Sequence, residues 1–279
     1  MTLKRKIWNC YTKTICNFFV FRKRRNCNFS LDIPPPLCLI SIAFNNVFLI
    51  EEQIRLVKKN IIDSNFTYIV CDNSSEKKKR GAIKSICTKE NIPYYSLPFN
   101  WFSKIHKQPS YSHGLAMNWI YYNIVVKMKP DVFGFIDHDI FPIKPYSVLQ
   151  KIKHQDFYGK LNNRTPDNHC RFIWYLWAGF CFFKFESIKN LNINFMPCKI
   201  DGVFLDTAGS NYSILYSKYH MEQLHFTDPV IEFFIRDGNI YHSDILHFID
   251  NDWLHTINGS NWAKIKGKDE FLREFLKQY

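Results

Sequence analysis

The hydrophobic pattern changes character at Pro34-Pro35-Pro36, which separates an N-terminal stretch from the rest of the chain. Leu37-Cys38-Leu39-Ile40-Ser41-Ile42-Ala43-Phe44 follows, a nearly unbroken apolar run of strand length that ends in Asn45-Asn46. Ile50, Ile54, Val57 and Ile61 then recur at helical spacing, with Glu51, Glu52, Arg55, Lys58 and Lys59 between them. Tyr68-Ile69-Val70-Cys71 reads as a second buried strand running into Asp72-Asn73-Ser74-Ser75. A helix over 75–90 turns Ala82, Ile83, Ile86 and Cys87 inward, and a short strand over 92–97 stops at Pro98. Strand, helix, strand, helix, strand is the order of an α/β unit with a parallel sheet.

A loop over 99–112 leads to His113-Gly114-Leu115-Ala116-Met117-Asn118, and Leu115, Trp119, Tyr122 and Val126 give the next helix its buried stripe up to Pro130. Val132-Phe133-Gly134-Phe135-Ile136 is then a strand that ends abruptly in Asp137-His138-Asp139. Downstream the alternation is lost. The pattern predicts a short helix in 145–153, a strand over 157–161, a polar loop over 162–170, strands in the aromatic run 172–183, a helix from Asp206 to Tyr219, a hairpin at Asp237-Gly238 and a terminal helix over 269–277. The expected fold is α/β, a mostly parallel sheet flanked by helices with a mixed α+β second half. It divides into an extension over 1–33 and halves over 34–144 and 145–279.

With 46% hydrophobic and 17% aromatic residues, the chain can fill a large core and does not read as disordered. The formal charge of +12 suggests nucleic acid until it is mapped. Residues 1–30 hold eight Lys and Arg and no Asp or Glu, which leaves +4 for the other 249 residues. The basicity is a tail property, so no nucleic-acid partner is expected. Cations interleaved with Trp8, Tyr11, Phe18, Phe19 and Phe21 suit either peripheral contact with an anionic membrane or a solvated extension. The nine cysteines form no CxxC pair and several fall inside apolar strands, which fits reduced thiols, a cytoplasmic setting and no zinc site.

Side chains alternate along a strand, so Asp137 and Asp139 are expected on one side and His138 on the other. Two carboxylates at a strand end make a hard oxygen site that suits Mg²⁺ or Mn²⁺ and, through it, a diphosphate. The plain alternative is a polar turn closing a strand. Ligands of open α/β sheets lie outside the carboxyl ends of the strands, where Asn45, Asp72, Asp137 and Asp139 all fall.

Taken together, these residues resemble a GT-A glycosyltransferase of the family-2-like group, over roughly residues 37–262. Phe44-Asn45, Cys71-Asp72-Asn73-Ser74-Ser75, Gly114-x-Ala116-x-Asn118, Asp137-His138-Asp139, Trp177-Ala178-Gly179-Phe180, Leu205-Asp206-Thr207 and the closing Trp253-Leu254-His255 with Gly259-Ser260-Asn261-Trp262 carry the likeness. The resemblance implies metal-dependent sugar transfer from a nucleotide-sugar donor to a saccharide or glycolipid hydroxyl, with 34–144 as the donor-binding half and 145–279 as the acceptor-binding half. Asn45, Asp72, Asn73, Gly114, Asn118 and Asp137 would contact the nucleotide. Asp137, Asp139 and His255 would hold the Mn²⁺ or Mg²⁺, and Trp177, Gly179 and Trp262 would line the sugar pocket. Asp206, with Asp201 as its rival, would be the base of an inverting reaction, as Leu205-Asp206 has one carboxylate where the family often has two. Surface-glycan synthesis at the inner face of a membrane is the implied setting.

Two other classes share parts of this pattern. A haloacid-dehalogenase-type phosphatase also ends a strand in Asp-x-Asp, but on its first strand and with a following threonine, where this chain has Phe141. A non-catalytic membrane-surface or nucleic-acid-binding module would rest on the basic tail alone. Asp250-Asn251-Asp252 repeats the acidic triplet without a preceding βα unit and is read as turn chemistry.

Overall fold

A computed structural model describes residues 33–98, 109–164, 172–236, 239–256 and 267–279, with the backbone alone at 164, 232–236 and 239–245. The basic tail, the Asp237-Gly238 turn and the segment with Trp262 lie outside the described residues.

Strands β1 (Leu37–Ala43), β2 (Thr67–Asp72), β3 (Tyr94–Ser96) and β4 (Val132–Asp137) are parallel neighbours, and β6 (Phe157–Arg164) and β7 (Ile173–Lys184) complete one sheet in the order β3-β2-β1-β4-β7-β6. β7 is antiparallel to both of its neighbours. This is the mostly parallel sheet with flanking helices that the sequence predicts, and it fits a GT-A-like α/β fold.

The unbroken apolar run of β1 is explained by two covered faces. Leu37, Leu39 and Ala43 pack with Ile50, Ile54 and Val57 of helix α1 (Val47–Asn60). Cys38, Ile40 and Ile42 pack with Leu115, Trp119 and Ile120 of α3 (Pro109–Ile120) on the other side. α2 (Lys77–Lys89) buries Ile83 and Cys87, with Ile86 partly covered. α3 starts four residues before His113, with proline near its first turn. Every residue from Gly114 to Tyr121 is buried, so the helix is apolar nearly all round instead of along one stripe. It continues through a π-type turn over Tyr121–Val125 to Met128.

A second sheet, β10-β11-β12-β5, joins β5 (Ile140–Pro142) to β12 (Trp253–His255), β11 (Asn239–Ile249) and β10 (Pro229–Arg236). Both sheets therefore run across position 144. The terminal helix α6 (Lys268–Leu276) covers α1 and this second sheet. Two shorter helices, α4 (Val148–Ile152) and α5 (Phe185–Ile188), lie between them in the chain.

Two expectations need correction. The helix predicted from Asp206 to Tyr219 is absent, and the segment forms separate 3-10 turns at Gly209–Asn211 and Tyr216–Lys218. Ala208 at φ 74° breaks the helical path just after the expected cap. The aromatic run 172–183 is one long strand. Among the described residues, no helix is long and apolar enough to cross a membrane.

Candidate active site

β4 ends at Asp137, and His138-Asp139 form a turn before β5. The strand alternation predicted through Asp139 therefore stops two residues short. What fixes the turn is Gln53, a fully buried amide on α1. Its Nε2 donates to the carbonyls of Asp137 at 2.8 Å and Ile140 at 2.6 Å, while its Oε1 accepts from the Tyr68 hydroxyl at 2.8 Å. Sequence reading missed this residue. Its signal was a glutamine on the apolar face set by Ile50, Ile54 and Val57.

Asp139 is 5% exposed, and its Oδ2 lies 3.7 Å from Nε2 of His255, which is 8% exposed. The histidine reaches the turn because β12 pairs with β5, His255 opposite Ile140. Thr256 N–H donates to the Asp139 carbonyl at 3.0 Å, and the Thr256 carbonyl accepts from buried Lys268 at 2.5 Å. Asp137 keeps about a quarter of its side chain open and lies 3.5 Å from His113 Nε2. Its carboxyl is pushed above the usual carboxylate value, by burial first and by the Asp139 charge, with His113 opposing.

Among the described residues no three His, Cys, Asp or Glu are close enough to hold a metal by themselves. A carboxylate and an imidazole 3.7 Å apart, too far for a hydrogen bond, do fit two ligands of one ion whose shell is finished by phosphate and water. The donor set is open, not a closed structural site.

Gly179 and Trp177 form the adjacent wall. A Cβ at Gly179 would stand 2.5 Å from Asp137 Oδ2 and 2.4 Å from the Trp177 indole, so only glycine allows this approach. Trp177 in turn packs against His255 with ring centroids 5.0 Å apart.

The nucleotide-side residues divide. Asp72 is fully buried; its Oδ1 accepts from Ser74 N–H at 2.8 Å in an Asx-turn and its Oδ2 from the Tyr94 hydroxyl at 2.7 Å. Both carboxylate oxygens thus hold the turn that follows β2. Asn45, at φ 51°, accepts from the N–H groups of Ser75 and Glu76. Partly exposed Asn73, bonded to Ser112 at 3.1 Å, stands at the same rim.

Gly114 and Asn118 hold the chain at Phe195 against α3. A Cβ at Gly114 would meet the Phe195 carbonyl at 2.6 Å. Asn118 is 4% exposed, donates to Asn194 Oδ1 at 2.9 Å and accepts from Phe195 N–H at 2.8 Å. Ala208 N–H donates back to the Phe195 carbonyl at 2.8 Å, and Thr207 Oγ1 donates to the Ser110 carbonyl at 3.1 Å. The motif thus ties the segment carrying Asp206 to α3.

Asp206 is partly exposed, accepts from Thr207 N–H at 2.7 Å and has its own N–H on the Tyr175 hydroxyl at 3.0 Å. Asp201 is exposed, between β8 (Cys198–Ile200) and β9 (Val203–Leu205). It and Gly202 have φ of 46° and 86°, the Asp-Gly pair of a two-residue hairpin turn. Asp250 is likewise structural, accepting from Tyr146 and Tyr158 and pairing with Lys151 at 3.2 Å.

No protein-family profile matches the chain, and no curated protein matches it. Similar solved structures include TarS of S. aureus (16% identity, TM-score 0.37, 57% of this chain and 30% of that one). The mannosyltransferase PcManGT of Pyrobaculum calidifontis, in complex with GDP-Man and Mn²⁺, has 11% identity, TM-score 0.38, and 64% and 52% of the two chains matched. The mannosyltransferase Ktr4p of S. cerevisiae has 10% identity, TM-score 0.38, and 65% and 66% matched. The match thus spans from under a third to about two thirds of those proteins. At these values the likeness fixes neither activity nor substrate.

Proposed function

We propose that the chain is a metal-dependent glycosyltransferase that moves a sugar from a nucleotide-sugar donor to a hydroxyl of a saccharide or glycolipid acceptor, with inversion, in surface-glycan synthesis. The observation that carries this reading is the Asp139–His255 pair at the carboxyl end of β4, with Asp137 and Gly179 beside it. Asp139 and His255 would hold Mn²⁺ or Mg²⁺, the imidazole favouring Mn²⁺. The ion would offset the charge that develops on the departing diphosphate.

The remaining work falls to the chain itself. Asn45 and Asn73 border the nucleotide side, with Asp72 shaping that rim from beneath. Trp177 offers an apolar face to a sugar ring. The acceptor oxygen bonds to the anomeric carbon as the bond from that carbon to phosphate oxygen breaks, and the hydroxyl proton passes to Asp206. Asp206 is preferred to Asp201 because the clamp on α3 holds its segment, whereas Asp201 sits at an exposed turn. The basic extension over 1–33 would rest on an anionic membrane at the cytoplasmic face.

The test is calorimetric titration with UDP, GDP and CMP, with and without Mn²⁺, on the wild type and Asp139→Ala. One nucleotide should bind only with metal, and the variant should lose it. Silence toward all three with and without metal would refute the nucleotide-sugar reading.

A further inference from the structure

The pairing of β6 with β7 is regular except beside the candidate site. Gly159 pairs with Cys181 and Leu161 with Leu176, so Lys160 alone faces Trp177-Ala178-Gly179-Phe180. This bulge in β7 re-aims the aromatic residue, as bulges beside active sites do. The Lys160 ammonium lies 4.7 Å over the Trp177 ring, whose centroid is 5.0 Å from that of His255, which in turn lies 3.7 Å from Asp139. Lysine, indole, imidazole and carboxylate form one continuous wall.

Lys160 has no role in the chemistry above. It is partly buried, and burial pulls its pKa below the ordinary lysine value. Among the described residues no carboxylate pairs with it, and the indole face of Trp177 lies against its charge. A desolvated cation without a counter-ion is costly, and an anionic ligand would remove that cost. Thr227, bridged to Lys160 and donating its N–H to the Gly159 carbonyl at 3.1 Å, is 3% exposed with an unpartnered hydroxyl. Strand order supplies the direction. Asn45 and Asn73 follow β1 and β2 on one side of β4, while Lys160 lies on β6, two strands away on the other.

We propose that Lys160, seated over Trp177, selects the acceptor by receiving an anionic substituent on it, a phosphate ester or a carboxylate. This rests on the transferase reading, since it takes the side of Trp177 away from the nucleotide rim as the acceptor side.

The full chain, with Lys160→Met and Lys160→Arg, would be titrated by NMR with glucose, glucose 6-phosphate and glucuronate, and separately with the nucleotides and Mn²⁺. At least one charged sugar should bind the wild type about ten-fold more tightly than glucose, the scale of one charge-assisted hydrogen bond. Lys160→Met should lose that preference and Lys160→Arg should keep it, with nucleotide affinity unchanged in both. Preference for glucose 6-phosphate alone names a phosphoryl acceptor, for glucuronate alone a carboxylate one. Equal binding of all three sugars, or a preference that survives Lys160→Met, overturns the proposal. Nucleotide binding with no charged-sugar preference would leave the transferase reading standing. A Lys160-dependent preference without nucleotide binding would overturn that reading instead.

Discussion

Gly179→Ala separates the candidate site from the scaffold that carries it. The added Cβ would stand 2.5 Å from Asp137 Oδ2 and within 2.4 and 2.5 Å of two Trp177 ring carbons. Ordinary carbon contacts begin near 3.5 Å, so the carboxylate and indole must each retreat by about 1 Å. Both are side-chain ends, and the strand backbone need not move. Overpacking of this kind costs about 1–3 kcal/mol. At about 2–4 °C per kcal/mol for a domain of this size, the melting temperature should fall by roughly 2–12 °C. The effect on turnover should be far larger, because misplacing a reacting group by about 1 Å costs about 100-fold.

The assay is metal-dependent hydrolysis or transfer of the nucleotide sugar whose nucleotide binds, with thermal melting on the same samples. Gly81→Ala is the control. Gly81 lies inside α2 with nothing within 4 Å of an added Cβ, so alanine there should stabilise by about 0.5–1 kcal/mol and leave turnover intact. Wild-type turnover in Gly179→Ala, at a lowered melting temperature, would show that the position of Asp137 does not matter to the reaction. The site would then have to lie elsewhere.

Asn118→Ala leaves the buried Phe195 N–H without its acceptor and removes one of the two donors to Asn194 Oδ1, which keeps the Met196 N–H, and should cost about 1–3 kcal/mol in denaturant unfolding. Loss of transfer to acceptor beyond loss of donor hydrolysis in that variant would mark the loosened Asp206 segment; an unchanged ratio would not. His247 has its pKa pulled from 6.5 to about 4, by burial first and then by Lys160 and His255. A depressed histidine contributes stability above the unfolded value that is lost as pH falls through the window from 6.5 to about 4. His247→Phe should therefore lose less melting temperature than the wild type between pH 7 and pH 4, and identical profiles would contradict the assignment.

The first half of the fold was legible because local pattern and tertiary need agree there. Both faces of β1 are covered by helices, so an unbroken apolar run could mean little else. Agreement failed over 206–219, although the terminal helix expected over 269–277 forms at Lys268–Leu276. Asp206 has the composition of a helix cap, yet it is held by the Tyr175 hydroxyl and followed by Ala208 in the left-handed region. Those are long-range constraints that no local window contains. Gln53 and Lys160 were missed for a related reason. Each looks like an ordinary polar residue until β4 and the β7 bulge are brought beside it.

The Gly114-x-Ala116-x-Asn118 motif has a structural role that the motif alone does not reveal. The resemblance implies nucleotide contact for Gly114 and Asn118, and in the fold all three residues are buried within α3. Glycine admits the Phe195 carbonyl, and asparagine fits the amide and carbonyl groups at 194–195 that a shorter side chain could not reach. Position 195 in turn accepts from Ala208, two residues after Asp206. A residue can thus belong to a reaction's geometry without touching a reactant, through a clamp two hydrogen bonds long. The same logic holds at the proposed metal pair, where Lys268 holds Thr256 and Thr256 holds Asp139. Both the proposed base and the proposed metal ligand are therefore fixed through the backbone, by groups drawn from two helices far apart in sequence, α3 and the terminal α6.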